Sequence, residues 1–220
     1  MSEVSVPVTR ARSGLQITTN KITNIQVRMA SIEILVGGPY PEHPYGHTAL
    51  RVTTLDKDKV YDYGRYGRTW GVGNSEGDGI LNIWESFQAY IKEESTHKRI
   101  TAGFVYEISE EQANAINEFY KNKIKNKNHL KSNPNYNSYL IDKYYALGPN
   151  CTTLSIAGAK IAIPSIDKDW KKYQEGRGLS TMEKGIVSLK SWPNYIFMPA
   201  DLKAMLEASD KKSKKINTYK

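Results

Sequence analysis

The chain has 220 residues, of which 39% are hydrophobic and 10% aromatic, enough to build a core in one large domain or two small ones. Lysine and arginine total 31 against 23 acidic residues, a formal net charge of +8, so we expect a surface that favours anionic partners. The single cysteine excludes an internal disulfide, and with scattered histidines it cannot make a structural zinc site.

Three parts follow from the composition along the chain. Residues 1–29 are polar and weakly patterned, as expected of an extended arm, whereas residues 30–208 are predicted to form a single catalytic domain. Residues 209–220 are rich in lysine and are predicted to be a basic, disordered tail.

The sequence shows no targeting or membrane-spanning segment. The first residues lack the basic start and apolar run of a signal peptide, and no stretch approaches about 18 consecutive apolar residues. We therefore expect a protein made in the cytoplasm, without a cleavable export signal and without stable membrane insertion.

The elements are predicted from periodicity and from turn residues. A capping box at Ser109 and Gln112 opens the clearest helix. Residues 64–79 are rich in glycine and are predicted to be a loop at the rim of a site. In chain order we expect strands at 30–36, 48–54 and 60–63, a strand turning into a helix at 80–92, a strand at 99–108, a helix to about 125, a loop at 126–137, an approach segment at 138–147, a helix at 152–162, a strand at 192–198 and a helix from 199.

The lone cysteine lies where a loop gives way to a helix. Cys151 follows Pro149 and Asn150 and precedes two threonines, which favours a helix N-terminus over a sealed core. Backbone N–H groups and the helix dipole lower the pKa of a thiol at such a position. The sequence therefore predicts a nucleophile; the alternative is a small buried hydrophobic residue.

A candidate base and a candidate orienting group lie on one predicted hairpin. His47 follows a Pro- and Gly-rich loop at the start of a strand, and it is the best placed of the four histidines. Asp62 lies on the returning strand, where it would orient the imidazole. The alternatives are a histidine bonded to backbone and an ordinary exposed aspartate. Tyr45, Asn150 and Trp70 are the candidate substrate contacts, and Tyr45 is also a candidate oxyanion donor.

The order of these motifs resembles the circularly permuted branch of the NlpC-type, papain-like cysteine peptidases. The resemblance rests on 46–52 around His47, 61–67 around Asp62 and 150–153 around Cys151. It implies an α+β, papain-like domain in which an antiparallel sheet packs against the cysteine helix. It also implies hydrolysis of peptide amide bonds in peptidoglycan by Cys151, His47 and Asp62, without a cofactor.

The resemblance extends to leaderless amidase effectors of type VI secretion. It implies that the chain acts in the periplasm of a target cell as an antibacterial toxin. The partners would be peptidoglycan peptide stems, an immunity protein and the secretion machinery.

Two alternatives remain open at this point. Related permuted enzymes act on lipid acyl groups, so a thioesterase or acyltransferase with the same Cys-His dyad is one. A basic binding module with a structural cysteine is the other. The tyrosines and the lysine at 136–145 are compatible with a nucleic-acid surface, but aromatic residues before a helix are more often core, so we expect no nucleic-acid partner.

Overall fold

A computed structural model describes residues 29–41, 43–71, 74–209 and 213–220. The predicted arm lies outside the described residues except for Met29, and its extended form stays a prediction. The strands are β1 (Ala30–Gly37), β2 (His47–Thr53), β3 (Asp58–Gly64), β4 (Thr69–Trp70), β5 (Glu76–Trp84), β6 (Thr101–Ile108), β7 (Asn128–Ser132), β8 (Tyr136–Tyr145) and β9 (Lys215–Tyr219). The helices are α1 (Phe87–Thr96), α2 (Glu110–Ile124), α3 (Cys151–Ala162), α4 (Trp170–Tyr173), α5 (Thr181–Leu189) and α6 (Pro199–Ala208).

The strands of the described residues form one antiparallel sheet. Its order is β7-β8-β5-β3-β2-β1-β6-β9, and β4 pairs with part of β5. This confirms the predicted α+β class with an antiparallel sheet.

The sheet has a core on each face. Successive side chains of a strand point to opposite faces, so a central strand covered on both sides is apolar nearly throughout. On β1, Ile32 and Ile34 belong to the larger core, which also contains residues of α2, α3 and α6. Leu35 belongs to a smaller core with Phe87 and Tyr90 of α1.

The cysteine helix α3 lies against β2, β3 and α2. It begins after Asn150, whose side chain accepts a hydrogen bond from the Thr153 backbone N–H, and it ends just before Pro164. Gly158 allows α3 to pack closely against α2 and β2, because a Cβ at this position would lie 2.6 Å from the Tyr120 hydroxyl and 2.9 Å from Leu50. The sequence thus places Cys151 at the first turn of a helix that is packed directly on the sheet.

Two predictions in the second half of the chain are wrong. Residues 126–137 were expected to form a loop, yet β7 pairs there with β8. Every residue of β7 is exposed, so no alternation of apolar and polar residues marks it as a strand. Residues 192–198 were expected to form a strand, but they are irregular, although Ile196, Phe197 and Met198 are buried.

The predicted tail is also partly ordered, because β9 pairs with β6 at the edge of the sheet. The Asn217 amide and the Tyr219 hydroxyl both donate to the buried Glu33 carboxylate, at 2.8 and 2.7 Å. These bonds give the buried carboxylate hydrogen-bond partners, and burial without partners would cost free energy. They therefore help to hold this lysine-rich segment against the sheet. The prediction of a disordered tail is therefore wrong for residues 215–219.

Candidate functional site

The hairpin of β2 and β3 brings His47 and Asp62 together. Ala49 pairs with Asp62 across the two strands, and His47 lies two residues from Ala49, so both side chains share one face of the sheet. The His47 Nε2 and Asp62 Oδ1 atoms are 2.6 Å apart, and both residues are buried. This is the pairing that the sequence predicts for an imidazole and its orienting carboxylate.

The Asp62 carboxylate is held by further donors. The Tyr66 hydroxyl donates to Oδ1 at 2.7 Å, and the Trp84 indole donates to Oδ2 at 3.3 Å. Burial alone would raise the pKa of Asp62, but the charge of His47 and these hydrogen bonds outweigh it and lower the pKa. Asp62 is therefore ionised at neutral pH and fixes the orientation of the imidazole.

Cys151 lies against the other side of the same imidazole. Since Nε2 faces Asp62, the ring nitrogen left for the hydrogen bond between His47 and the Cys151 sulfur is Nδ1. The backbone N–H of Thr48 and the Tyr144 hydroxyl, 3.4 Å from Sγ, also donate to the sulfur. The structure thus brings together the three residues that the sequence predicts as a triad.

The strand and the helix are joined beside this contact. Thr48 Oγ1 lies 3.1 Å from Thr152 Oγ1, and the Ser155 hydroxyl donates to the Thr48 carbonyl at 3.3 Å. All three residues are buried. These bonds connect Thr48, the residue after His47, to α3, which begins with Cys151. The distance between imidazole and thiol is therefore determined by the packing of α3 against β2.

The electrostatics favour an ion pair at neutral pH. Burial would raise the pKa of Cys151, yet the hydrogen bond and charge of His47 lower it to about 7. Burial would lower the pKa of His47, yet the Asp62 charge and hydrogen bond raise it to about 10. Between these two values, the thiolate of Cys151 and the imidazolium of His47 coexist.

Tyr144 on β8 is a site residue that the sequence reasoning missed. The backbone N–H of Cys151 is directed at the Tyr144 hydroxyl, and that hydroxyl contacts the sulfur. Burial, together with the charge of Cys151, holds the pKa of Tyr144 well above its usual range, so it stays a neutral donor. A backbone N–H at a helix start and a neighbouring hydroxyl are the kind of donors that stabilise an oxyanion.

The three predicted substrate contacts have other partners. The Tyr45 hydroxyl bonds to Glu183 of α5, so it is not free as an oxyanion donor, although Tyr45 lines the cavity described below. The Asn150 amide donates to the carbonyls of Ala146 and Phe197, at 2.8 and 3.0 Å, which uses both of its N–H groups. Its role is to cap α3 and to hold the loop before it.

Trp70 does not belong to the described residues that line the cavity. Its indole donates to Glu76 at 2.9 Å on the neighbouring strand. The glycine-rich segment that carries it reaches the cavity through Gly64, Arg65, Tyr66 and Ser75 instead. Other residues of this segment therefore line the cavity, as a substrate rim would, and Trp70 does not.

A cavity of about 1060 Å³ opens onto the Cys151–His47 pair. One wall carries the polar side chains of the loop before β2 and of the end of α1, among them His43, Glu93 and His97. Helix α5 also lines the cavity and contributes Met182 and Ile186 at 75% and 40% exposure. The cleft is large enough for a peptide, and one of its rims is apolar.

Two further findings on the described residues concern metal ions and membranes. No three of their His, Cys, Asp or Glu side chains are grouped so that they could hold a metal ion. None of their helices has both the length and the apolarity that crossing a bilayer requires.

The chain was compared with protein-family models, with curated proteins and with solved structures, and none of the three comparisons found a match.

Proposed function

We propose that this protein is a cysteine hydrolase that cleaves amide bonds by acyl transfer through Cys151. The observation that carries the proposal is the buried row of Asp62, His47 and Cys151, with the pKa of the thiol lowered to about 7 by the imidazole. A thiolate paired with an imidazolium at the wall of a large cleft is suited to nucleophilic attack on a bound substrate. A merely structural cysteine would gain nothing from such a partner.

The reaction follows from the positions of the three groups. The Cys151 thiolate attacks the carbonyl carbon, and the oxyanion that forms is held by the Cys151 backbone N–H and the Tyr144 hydroxyl. The His47 imidazolium then gives its proton to the leaving nitrogen as the C–N bond breaks, which leaves an acyl-thioester. Neutral His47 next takes a proton from water, whose oxygen attacks the thioester. Collapse of this second intermediate releases the carboxylic acid and restores the thiolate and the imidazolium.

We propose peptide stems of peptidoglycan as the substrate and the permuted papain-like arrangement as the fold. The support is the resemblance of the motifs around His47, Asp62 and Cys151, and the order of histidine strand before cysteine helix. The net charge of +8 supports a polyanionic target such as a cell wall. On this basis the protein acts in the periplasm of a target cell, and an immunity protein and the secretion machinery are its partners.

One observation favours a second candidate, hydrolysis or transfer of a lipid acyl group. Met182 and Ile186 on α5 and Leu130 on β7 are at least 40% exposed and line the cavity. An apolar rim of this kind can hold an acyl chain as well as a peptide. Replacing Met182 and Ile186 with serine should abolish cleavage of a long-chain acyl ester and leave cleavage of a peptide amide nearly unchanged.

The test is digestion of purified peptidoglycan, with the released fragments identified by mass spectrometry. The wild-type protein should release muropeptides cut at one amide bond, and Cys151→Ala should release none. His129→Ala is a matched control for His47→Ala, because His129 is exposed on β7 and lies outside the cavity lining. Intact peptidoglycan together with cleavage of a long-chain acyl ester would favour the second candidate and contradict the first.

A further inference from the structure

Helix α5 lies between two segments that are fixed to the body of the protein. On its N-terminal side, the fully buried Asp201 carboxylate of α6 accepts hydrogen bonds from the backbone N–H groups of 175–177, at 2.7 to 3.1 Å. On its C-terminal side, the carbonyl of the buried Phe197 accepts a hydrogen bond from Asn150 at 3.0 Å. We call the residues between these two anchors, 178–191, the α5 segment.

The α5 segment has few attachments to the rest of the protein. Val187 is the one residue of α5 that is buried, and the others are partly or fully exposed. Among the described residues, one hydrogen bond joins 179–190 to a residue outside 176–192, and it runs from the Tyr45 hydroxyl to the Glu183 carboxylate. One buried side chain and one hydrogen bond are therefore the main attachments of the segment.

The backbone turns sharply at both ends of the α5 segment. Gly178 and Ser191 have φ angles of +93° and +66°, in the left-handed region. Hinge rotations are commonly absorbed by a few residues at the ends of an element. A rotation at these two positions would move the segment as a unit and leave both anchors in place.

The α5 segment lies beside a thiol that is nearly closed to solvent. Cys151 is 3% exposed and His47 is 7% exposed, although both line the cavity. Helix α5 lines the same cavity, and Tyr45, which holds α5 through Glu183, lies two residues before His47. Little of the thiol is therefore accessible to a large reactant while the segment is in this position.

We propose that the α5 segment is a lid over the Cys151 thiol, and that the hydrogen bond between Tyr45 and Glu183 is the latch that holds it closed. When the latch breaks, the segment rotates about its two ends and widens the entrance for a large substrate. A bound substrate contacts the exposed Met182 and Ile186 side chains, and their burial against it favours closure. The inference concerns access to the thiol, so it holds for an amide and for an acyl ester alike.

The test compares a small and a bulky reagent at the same thiol. Iodoacetamide and pyrenylmaleimide are both uncharged and both react with a thiolate, so the ratio of their rates does not depend on how much of the thiol is ionised. We expect Tyr45→Phe to raise the ratio of the pyrenylmaleimide rate to the iodoacetamide rate about fivefold or more, because the closed state loses a hydrogen bond to a charged group. Glu183→Gln keeps the capping box with Ser180 and should raise the ratio in the same direction. Rates are read at Cys151 by peptide mass spectrometry, and melting curves show that each variant is folded.

Tyr136→Phe is the matched control. Tyr136 lines the same cavity and packs against Trp84, with ring centroids 4.4 Å apart, but its hydroxyl forms no hydrogen bond with α5. The ratio in this variant should stay within about twofold of wild type. An equal rise in Tyr136→Phe and Tyr45→Phe would overturn the latch, since it would report only the loss of a hydroxyl from the cavity.

Hydrogen exchange measures the motion of the segment directly. The backbone amides of 181–189 should exchange about fivefold faster or more in Tyr45→Phe than in wild type, whereas those of α3 should be unchanged. Faster exchange with an unchanged alkylation ratio would overturn the lid, because the segment would open without controlling access, and the cysteine hydrolase would stand. Unchanged exchange would overturn the latch. A thiol that is inert to both reagents in every variant would contradict the lid and the proposed function together.

Discussion

Replacing Asp62 with asparagine removes the charge that keeps His47 protonated. In the wild-type protein this charge raises the pKa of His47 to about 10 against the opposing effect of burial. Without it, the contact with Cys151 is left to oppose the effect of burial, and we expect the imidazole to become neutral at pH 7. The thiol then loses its cationic partner, and its pKa should rise from about 7 towards or above the ordinary value of 9.0.

The size of the effect follows from these two values. At pH 7 about half of the wild-type thiol is ionised, whereas a thiol with a pKa of 9 is about 1% ionised. The rate of alkylation by iodoacetamide at pH 7 should therefore fall about 50-fold in Asp62→Asn, and its pH midpoint should move up by about 2 units.

The measurement is the alkylation rate between pH 5 and pH 10, followed by intact-protein mass spectrometry. Asp78→Asn is the matched control, because Asp78 lies on β5 of the same sheet and pairs with Arg68 away from the cavity lining. It should reproduce the wild-type profile. A profile for Asp62→Asn that superimposes on that of wild type would show that Asp62 does not sustain the ion pair.

The pH dependence of turnover should be a bell, rising near pH 7 as the Cys151 thiolate forms and falling near pH 10 as His47 loses its proton; a rate that keeps rising past pH 10 would remove the imidazolium from the mechanism. Cys151→Ala should abolish turnover with little change in melting temperature, whereas His47→Ala should abolish turnover and also lower the melting temperature, because the buried Asp62 carboxylate loses its partner; the double variant should be no slower than either single one. Tyr144→Phe should lower kcat about 10- to 100-fold with KM nearly unchanged, whereas Tyr139→Phe, on the same strand, should be silent; equal kcat values in the two variants would exclude Tyr144 as an oxyanion donor.

The part of the site that depends on local structure could be predicted from the sequence. His47 and Asp62 meet because a short hairpin sets the register of β2 and β3, and hairpins can be read from turn residues and strand patterns. Cys151 begins a helix because Asn150 and Thr153 form a capping box, which is equally local. That His47 and Cys151 lie close together was inferred from the chemistry that a histidine and a thiol perform together.

The part that was missed depends on contacts between distant segments. Tyr144 reaches the sulfur because β8 pairs with β5 through an irregular register near Gly79, and no local pattern contains that pairing. The Tyr45 hydroxyl bonds to Glu183, 138 residues further along the chain, so its partner could not be read from its neighbours. Helix α5 was not predicted, although Ser180 and Glu183 form a capping box that marks its start.

The most direct test of the central claim is to trap the acyl-enzyme. Wild-type protein is mixed with soluble peptidoglycan fragments, quenched in acid within the first turnover and examined by intact and peptide mass spectrometry. We expect an added mass equal to the acyl-donor portion of the substrate, attached to Cys151 and released at neutral pH. Fragment release that proceeds without any adduct at Cys151, and that persists in Cys151→Ala, would contradict it.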